Sequence, residues 1–298
     1  MVTEQPMDKG LHRSFLAFIH EREQIRRKKE AGQPAPWTRD KILQTYRFCN
    51  IRRRDDRVSR WVIDSIITPQ KRNPNLWLQL ALARYINWPD TINALMEARL
   101  WPVSKEPRFA DIGDFLDARA RAGIKTWTGA YMIRAESNES AGWYDWGKGR
   151  YVSVVVVGGV WERRAQIVPH LKTSVQAAHE ALMEHGYGWG SFMAGQVVAD
   201  LTYCEQYLHS APDLYSYAPL GPGSRRGLNR LLKRGLTQTI SQDDACALMR
   251  SLCIDIHNML AYDLNLHDVQ NCLCEFDKYQ RVKTGEGRPR SIYRSHAC

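Results

Sequence analysis

Apolar side chains recur at helical spacing through most of the chain. Between Ser14 and Glu30, Phe15, Phe18, Ile19 and Ile25 fall on one side, and Arg26, Arg27, Lys28 and Lys29 close the run. Positive charge suits a helix C-terminus, and Gly32, Pro34 and Pro36 then stop the helix. Thr38 reads as the N-cap of a second helix, with Asp40 and Lys41 in its first turn, running to about Ile67. The same spacing predicts helices near 76–86, 90–99, 109–122, 165–184, 190–208, 224–234, 241–262 and 268–281. Strands and helices do not alternate, so a parallel α/β sheet is not expected.

Residues 123–160 break the pattern. Gly142, Gly147, Gly149, Gly158 and Gly159 punctuate this stretch, and a Val-rich run occupies 152–157. Propensity favours a strand for that run, while its length and apolarity also fit a buried helix. The expected architecture is mainly α, with a small β or irregular insertion near 123–160. A flexible tail is placed at 1–10, a single two-lobed helical domain at 11–285 and a basic tail at 286–298.

Charge narrows the partners. The chain of 298 residues carries 42 Lys and Arg against 32 Asp and Glu, a formal net charge of +10. Such an excess favours a polyanionic partner and leaves the fold open. Ten Trp and thirteen Tyr, many beside Arg or Lys, suit stacking on unpaired bases with phosphate contacts. A Trp-rich core under a basic surface would have the same composition. There is no leading apolar stretch and no 18-residue apolar run, so a cytoplasmic protein without a membrane partner is expected. The seven cysteines read as reduced thiols. Cys246, Cys253, Cys272 and Cys274 share only their first gap with the iron–sulfur helical glycosylases, so buried apolar thiols are preferred to a cluster. No metal site is assigned.

Four segments could carry chemistry. In Tyr46–Arg57, a helix would align Asn50, Arg53, Asp56 and Arg57 on one stripe, joining an amide, guanidinium forks and a carboxylate. Asp55 and the remaining arginines are read as solvent-facing. In Gly186–Asp200, glycines precede a helix bearing Gln196 and Asp200 at i and i+4. In Leu220–Leu228, a Gly-Pro-Gly turn opens a helix with Ser224 as its N-cap, and Gly221, Gly223, Arg225 and Arg226 complete an anion-binding end. In Leu266–Tyr279, Asp268, Asn271, Glu275 and Lys278 share one face, while Val269, Cys272, Leu273, Phe276 and Tyr279 cover the other. Each segment has a plain structural alternative: a salt-bridged surface helix, close helix packing, a tight turn, or an ordinary amphipathic helix. A G-x-x-x-x-G-K match at Gly142–Lys148 is dismissed, because Gly149 follows it where a P-loop has Ser or Thr, and no strand precedes it.

Together these segments resemble the α-glutamyl/putrescinyl-thymine pyrophosphorylases, or amino acid:DNA transferases, relatives of the helical domain found with 5-hydroxymethyluracil DNA kinases. The resemblance lies in Pro36-Trp37-Thr38 through Arg57, in Phe192–Gln196 with Asp200-Leu201, in Gly221–Leu228 and in Asp268–Tyr279. It spans residues 20 to 281 in the family's order. It implies a helical fold like the helix–hairpin–helix DNA glycosylases, and a phage setting in the infected host's cytoplasm. The implied reaction displaces phosphate or pyrophosphate from a phosphorylated 5-hydroxymethyluracil in double-stranded DNA with a free amino acid, such as glycine or glutamate, or with putrescine.

That chemistry sets requirements. The base must leave the duplex stack, at a few kcal/mol. Arg53 and Arg57 are assigned to the leaving group, and Asp56 or Asp268 to the proton of the incoming amine. Asn50 and Asn271 are placed at the uracil edge, with Gln196, Asp200, Glu275 and Lys278 as further substrate-binding residues. Gly221, Gly223, Ser224, Arg225 and Arg226 would grip the DNA backbone, and Trp37, Tyr46 or Trp189 would stack on the ring. No cofactor is assigned, and a role for Mg2+ with the leaving pyrophosphate stays open. A DNA base glycosylase and a non-catalytic DNA-binding subunit are the alternatives.

Overall fold

The computed structural model describes residues 6–102, 106–129, 131, 133, 135–136, 142, 146–289 and 292–293. The middle of the dismissed G-x-x-x-x-G-K match lies outside them. Helices dominate the described residues, which contain no strand and one isolated bridge between Tyr46 and Ile292. The chain forms two compact units: 1–56 with 214–298, and 57–213.

The first unit opens with α1 (Lys9–Glu30). Asp8 caps it by accepting from Leu11 N at 2.9 Å, so regular structure begins inside the stretch read as a tail. Phe15, Phe18, Ile19 and Ile25 are buried, as their spacing predicts. Then come α2 (Lys41–Thr45), a 3-10 turn (Arg53–Asp55), and, after the second unit, α12 (Pro222–Leu231), α13 (Gln242–Leu260) and α14 (Leu266–Lys283). α14 packs against α1, α2, α12, α13 and the 3-10 turn, which makes it the axis of this unit. α12 lies so close to it that a β-carbon at Gly223 would collide with Cys274, and one at Gly227 with the backbone of Leu273. At the far end of the chain, Tyr293 N donates to Thr45 O at 2.9 Å.

The helix expected from Thr38 to Ile67 is not formed. Asp40, not Thr38, is the cap, accepting from Ile42 N and Leu43 N at 2.8 and 3.1 Å. The helix stops at Thr45, and Tyr46 is extended. Chain beyond it finds tertiary hydrogen-bond partners that replace helical ones, as described below. Helix resumes in the second unit as α3 (Arg57–Val62), continued by a π-helical turn at Ile63–Ile67. The stripe of Asn50, Arg53, Asp56 and Arg57 therefore does not exist as a helix face.

The second unit continues through α4 (Leu76–Ile86), α5 (Pro89–Glu97), α6 (Phe109–Arg121), α7 (Lys148–Arg150), a π-helix (Tyr151–Gly158), α8 (Gly159–Glu162), α9 (Arg164–Ile167), α10 (Val175–His185) and α11 (Ser191–Leu201). Every residue of α4 is buried, and it packs on α11 and the π-helix. The Val-rich run is that π-helix, with Val152, Val156 and Val157 fully buried, so the helical alternative holds there. The helix expected over 165–184 is broken, since Pro169 cannot continue the hydrogen-bond ladder and Ser174 caps a new start. Asp117 accepts from Gly149 N and Arg150 N at 2.6 and 3.1 Å, so a carboxylate already fills the place that a phosphate would need.

Candidate functional site

The segment Phe48–Asp56 is suspended from helices by side chains. On α1, Arg22 stands within the otherwise apolar stripe. Its Nη2 donates to Phe48 O at 2.6 Å and Cys49 O at 2.9 Å. On α14, Glu275 Oε2 accepts from Cys49 N at 2.9 Å, and Asp268 Oδ1 accepts from Arg53 N at 2.8 Å. Within the segment, Asp56 Oδ1 accepts from Asn50 N at 2.7 Å, and Asn50 Nδ2 donates to Asp55 O at 2.8 Å. Three carboxylates thus each hold one backbone N–H of the loop. Such charge-assisted bonds are stronger than neutral ones, which explains why the chain gives up helix here.

Electrostatics follow from the burial. Desolvation pushes the carboxyl groups of Asp56 and Asp268 from the usual range up to about 6, against the pull of backbone donors and Arg53. Lys278 pairs with Glu275 at 2.5 Å, and its Nζ lies 4.8 Å from the centre of the Phe48 ring. Arg53 is 8% exposed, so the arginine assigned to a leaving group sits at the edge of the interior. Asn271 lies between Asp268 and Glu275 on their shared face of α14, and its buried Nδ2 has no partner among the described residues. A buried donor left unpaired costs about 1–3 kcal/mol, so it fits a place where a ligand carbonyl would sit. Burial also raises the thiols of Cys49 and Cys272 well above their ordinary value, which keeps both protonated. No group of three or more His, Cys, Asp or Glu suited to a metal occurs among the described residues.

Asn50, Arg53, Asp56, Asp268, Asn271, Glu275 and Lys278 therefore meet in one unit, through a loop and not along one helix face. Arg57, Gln196, Asp200 and Trp189 belong to the second unit. Arg57 is exposed at the start of α3. Asp200 is fully buried and paired through both oxygens with Arg84, whose Nη2 also reaches Ser59 Oγ at 3.0 Å. Gln196 Oε1 accepts from Tyr131 Oη at 3.1 Å. Trp189 is 4% exposed, donates to Val156 O at 3.0 Å and packs edge-on against Tyr85, so its ring is enclosed by the core. Trp37 and Tyr46 remain half-buried; Lys29 Nζ lies 4.4 Å from the Trp37 ring.

The Gly-Pro-Gly segment also differs from its reading. Gly221 is the cap and Pro222 the first helical residue. Ser224 is fully buried, with its Oγ bonded to Gly221 N, Gly221 O and Gln270 Nε2. Arg226 and Arg230 both bind the buried Asp277, each at 2.8 Å. Turns and extended chain precede Gly221, so no pair of helices forms a hairpin around it. Arg225 Nε is buried without a partner among the described residues. Arg22 and Asp277 were missed by the sequence reading. A charge at position 22, in register with Phe15, Phe18, Ile19 and Ile25, was the available signal.

A mainly helical protein with an arginine-rich loop held by buried carboxylates is the class that this geometry defines. The chain belongs to the family of the 5-hmdU DNA kinase helical domain, whose model matches residues 9–288. It is similar to a 5-hmdU DNA kinase of Bacillus phage SP10, 24% identical over 226 residues that cover 72% of this chain and 35% of that relative. The chain thus spans about a third of the relative's length. No solved structure matches it. No helix among the described residues is long and apolar enough to cross a membrane.

Proposed function

We propose that this chain acts in thymine hypermodification of phage DNA, where it replaces the (pyro)phosphate of a 5-(pyro)phosphomethyluracil with an amine. The family match supports a role with 5-hydroxymethyluracil in DNA. The observation that carries the finer reading is the loop held at Asp56, Asp268 and Glu275, with Arg53 and the unpaired Asn271 amide beside it. The amine nitrogen attacks the exocyclic methylene carbon of the extruded base. The C–O bond breaks, and its electron pair leaves with the pyrophosphate. The nitrogen loses a proton to the Asp56 carboxylate. Arg53 offsets the charge growing on the leaving group, and Asn271 donates to a uracil carbonyl. Asp268 and Glu275 hold the loop in place.

A second reading comes from the phage relative, of which this chain matches only 35%. In it, the helical domain presents 5-hydroxymethyluracil to a phosphoryl-transfer partner and performs no substitution itself. One assay separates the readings. The chain is incubated with 5-(pyro)phosphomethyluracil DNA and a panel of glycine, serine, glutamate and putrescine, and the digested nucleosides are read by mass. An aminated nucleoside with released phosphate supports the transferase. Unchanged DNA that is still bound supports the presenting domain, and abasic sites would establish a glycosylase.

A further inference from the structure

A cleft of about 400 Å³ lies in the first unit between α1, the start of α2 and the end of α14. That volume is in the range of small-molecule sites. Its apolar floor includes Phe18 and Leu43, both buried. Its walls carry Glu21, Arg39, Asp40 and Lys283, two charges of each sign. Glu21, Arg39 and Lys283 make no side-chain hydrogen bond or ion pair among the described residues, whereas Asp40 Oδ2 accepts from Tyr279 Oη at 2.6 Å. Tyr279 stands one helical turn beyond Glu275 on α14, so the cleft adjoins the carboxylate-held loop.

We infer that this cleft binds a free zwitterionic α-amino acid, with Arg39 and Lys283 facing its carboxylate and Glu21 facing its ammonium group. The balance of charges selects the class. A zwitterion meets one complement for each of its poles, while a diamine finds an available carboxylate only at Glu21, because Asp40 is engaged by Tyr279 and by the first amides of α2. The apolar floor leaves room for a short side chain. As the store of the incoming amine, the site rests on the transferase reading; as a binding site, it stands without it.

The test is calorimetric titration of the full chain without DNA, using glycine, serine, glutamate and putrescine as probes. At least one amino acid binds, and putrescine neither binds nor competes. Arg39→Gln and Glu21→Gln each weaken that binding about tenfold, the effect of losing one charge-assisted contact. Both side chains lack partners among the described residues, so the melting temperature stays unchanged and separates lost binding from lost folding. The inference is overturned if no amino acid binds at about 10 mM, if putrescine binds equally well, or if both variants keep full affinity. Transfer assays distinguish the two ideas. Amino acid binding in a chain that forms no aminated nucleoside removes the chemistry and leaves the cleft. Full product yield from the Arg39→Gln/Glu21→Gln double variant removes the cleft and leaves the chemistry.

Discussion

Asp56 and Asp268 carry the sharpest consequences at the scale of single residues. Burial raises both carboxyls to about 6 from an ordinary value of 3.8. The folded chain therefore binds their protons more tightly than the unfolded chain. Each group opposes folding increasingly as pH climbs from about 4 to about 6, and by a constant amount above that. Asp268→Asn removes one such term, so its urea-measured stability relative to wild type should improve between pH 4.5 and 7. A difference that stays constant over that range would show that Asp268 does not titrate there. Asp56 has a second role, because a base must be ionised to take a proton. Amination should therefore rise with pH through about 6, and Asp56→Asn should lose most product along with that rise. A variant with normal yield would remove Asp56 from the chemistry. Of these residues, the sequence offered types and spacing. It paired Asp268 with Glu275 on one face correctly, because both lie on one long helix. It misplaced Asn50 and Asp56 on a helix face, because the loop they close on each other is anchored at Cys49 and Arg53 by Glu275 and Asp268, more than 200 positions away.

Among elements, the contact between α12 and α14 is the tightest observation. Glycine at 223 and 227 lets two backbones approach within a distance that no side chain allows. Gly227→Ala pushes a methyl group against the backbone of Leu273, which cannot rotate away. The expected loss is about 1–3 kcal/mol, read from the shift in a denaturant unfolding curve. An unchanged midpoint would mean that α12 moves freely relative to α14. The sequence expectation for this glycine-rich turn is a grip on DNA backbone; its serine and Arg226 are bound within the unit, to Gly221 and Asp277. Helix existence was legible almost everywhere, since α1, α4, α13 and α14 follow apolar spacing. The end of α1 was legible at Gly32, Pro34 and Pro36, whereas the break at Pro169 was passed over by the helix expected across 165–184. The break after Thr45 has no proline or glycine, and was decided by carboxylates waiting on α14.

For the whole molecule, the net charge of +10 is the property that reaches a partner first. DNA binding by phosphate contacts releases condensed cations, so affinity should fall linearly in log–log form with salt. With about six phosphate contacts, the loss between 50 and 200 mM salt is about a thousandfold. Fluorescence anisotropy with a labelled duplex measures it, and a flat response would show that the basic surface does not meet phosphate. Several arginines do not contribute freely to that surface. Arg84, Arg226 and Arg230 neutralise buried Asp200 and Asp277.

The sequence by itself determined a mainly helical protein, its principal helices and a basic surface. Periodicity and charge are local or summed quantities, and both survive without knowing what touches what. Tertiary structure alone decided that Phe48–Asp56 is a suspended loop. It decided too that Trp189 and Asp200 are interior and that Asn271 keeps an unpaired donor between two carboxylates. The loop, Asp200 and Trp189 each depend on a hydrogen-bond partner distant in the chain, the Asn271 donor on what packs around it, and a buried hydrogen bond outweighs local helix propensity once water is excluded.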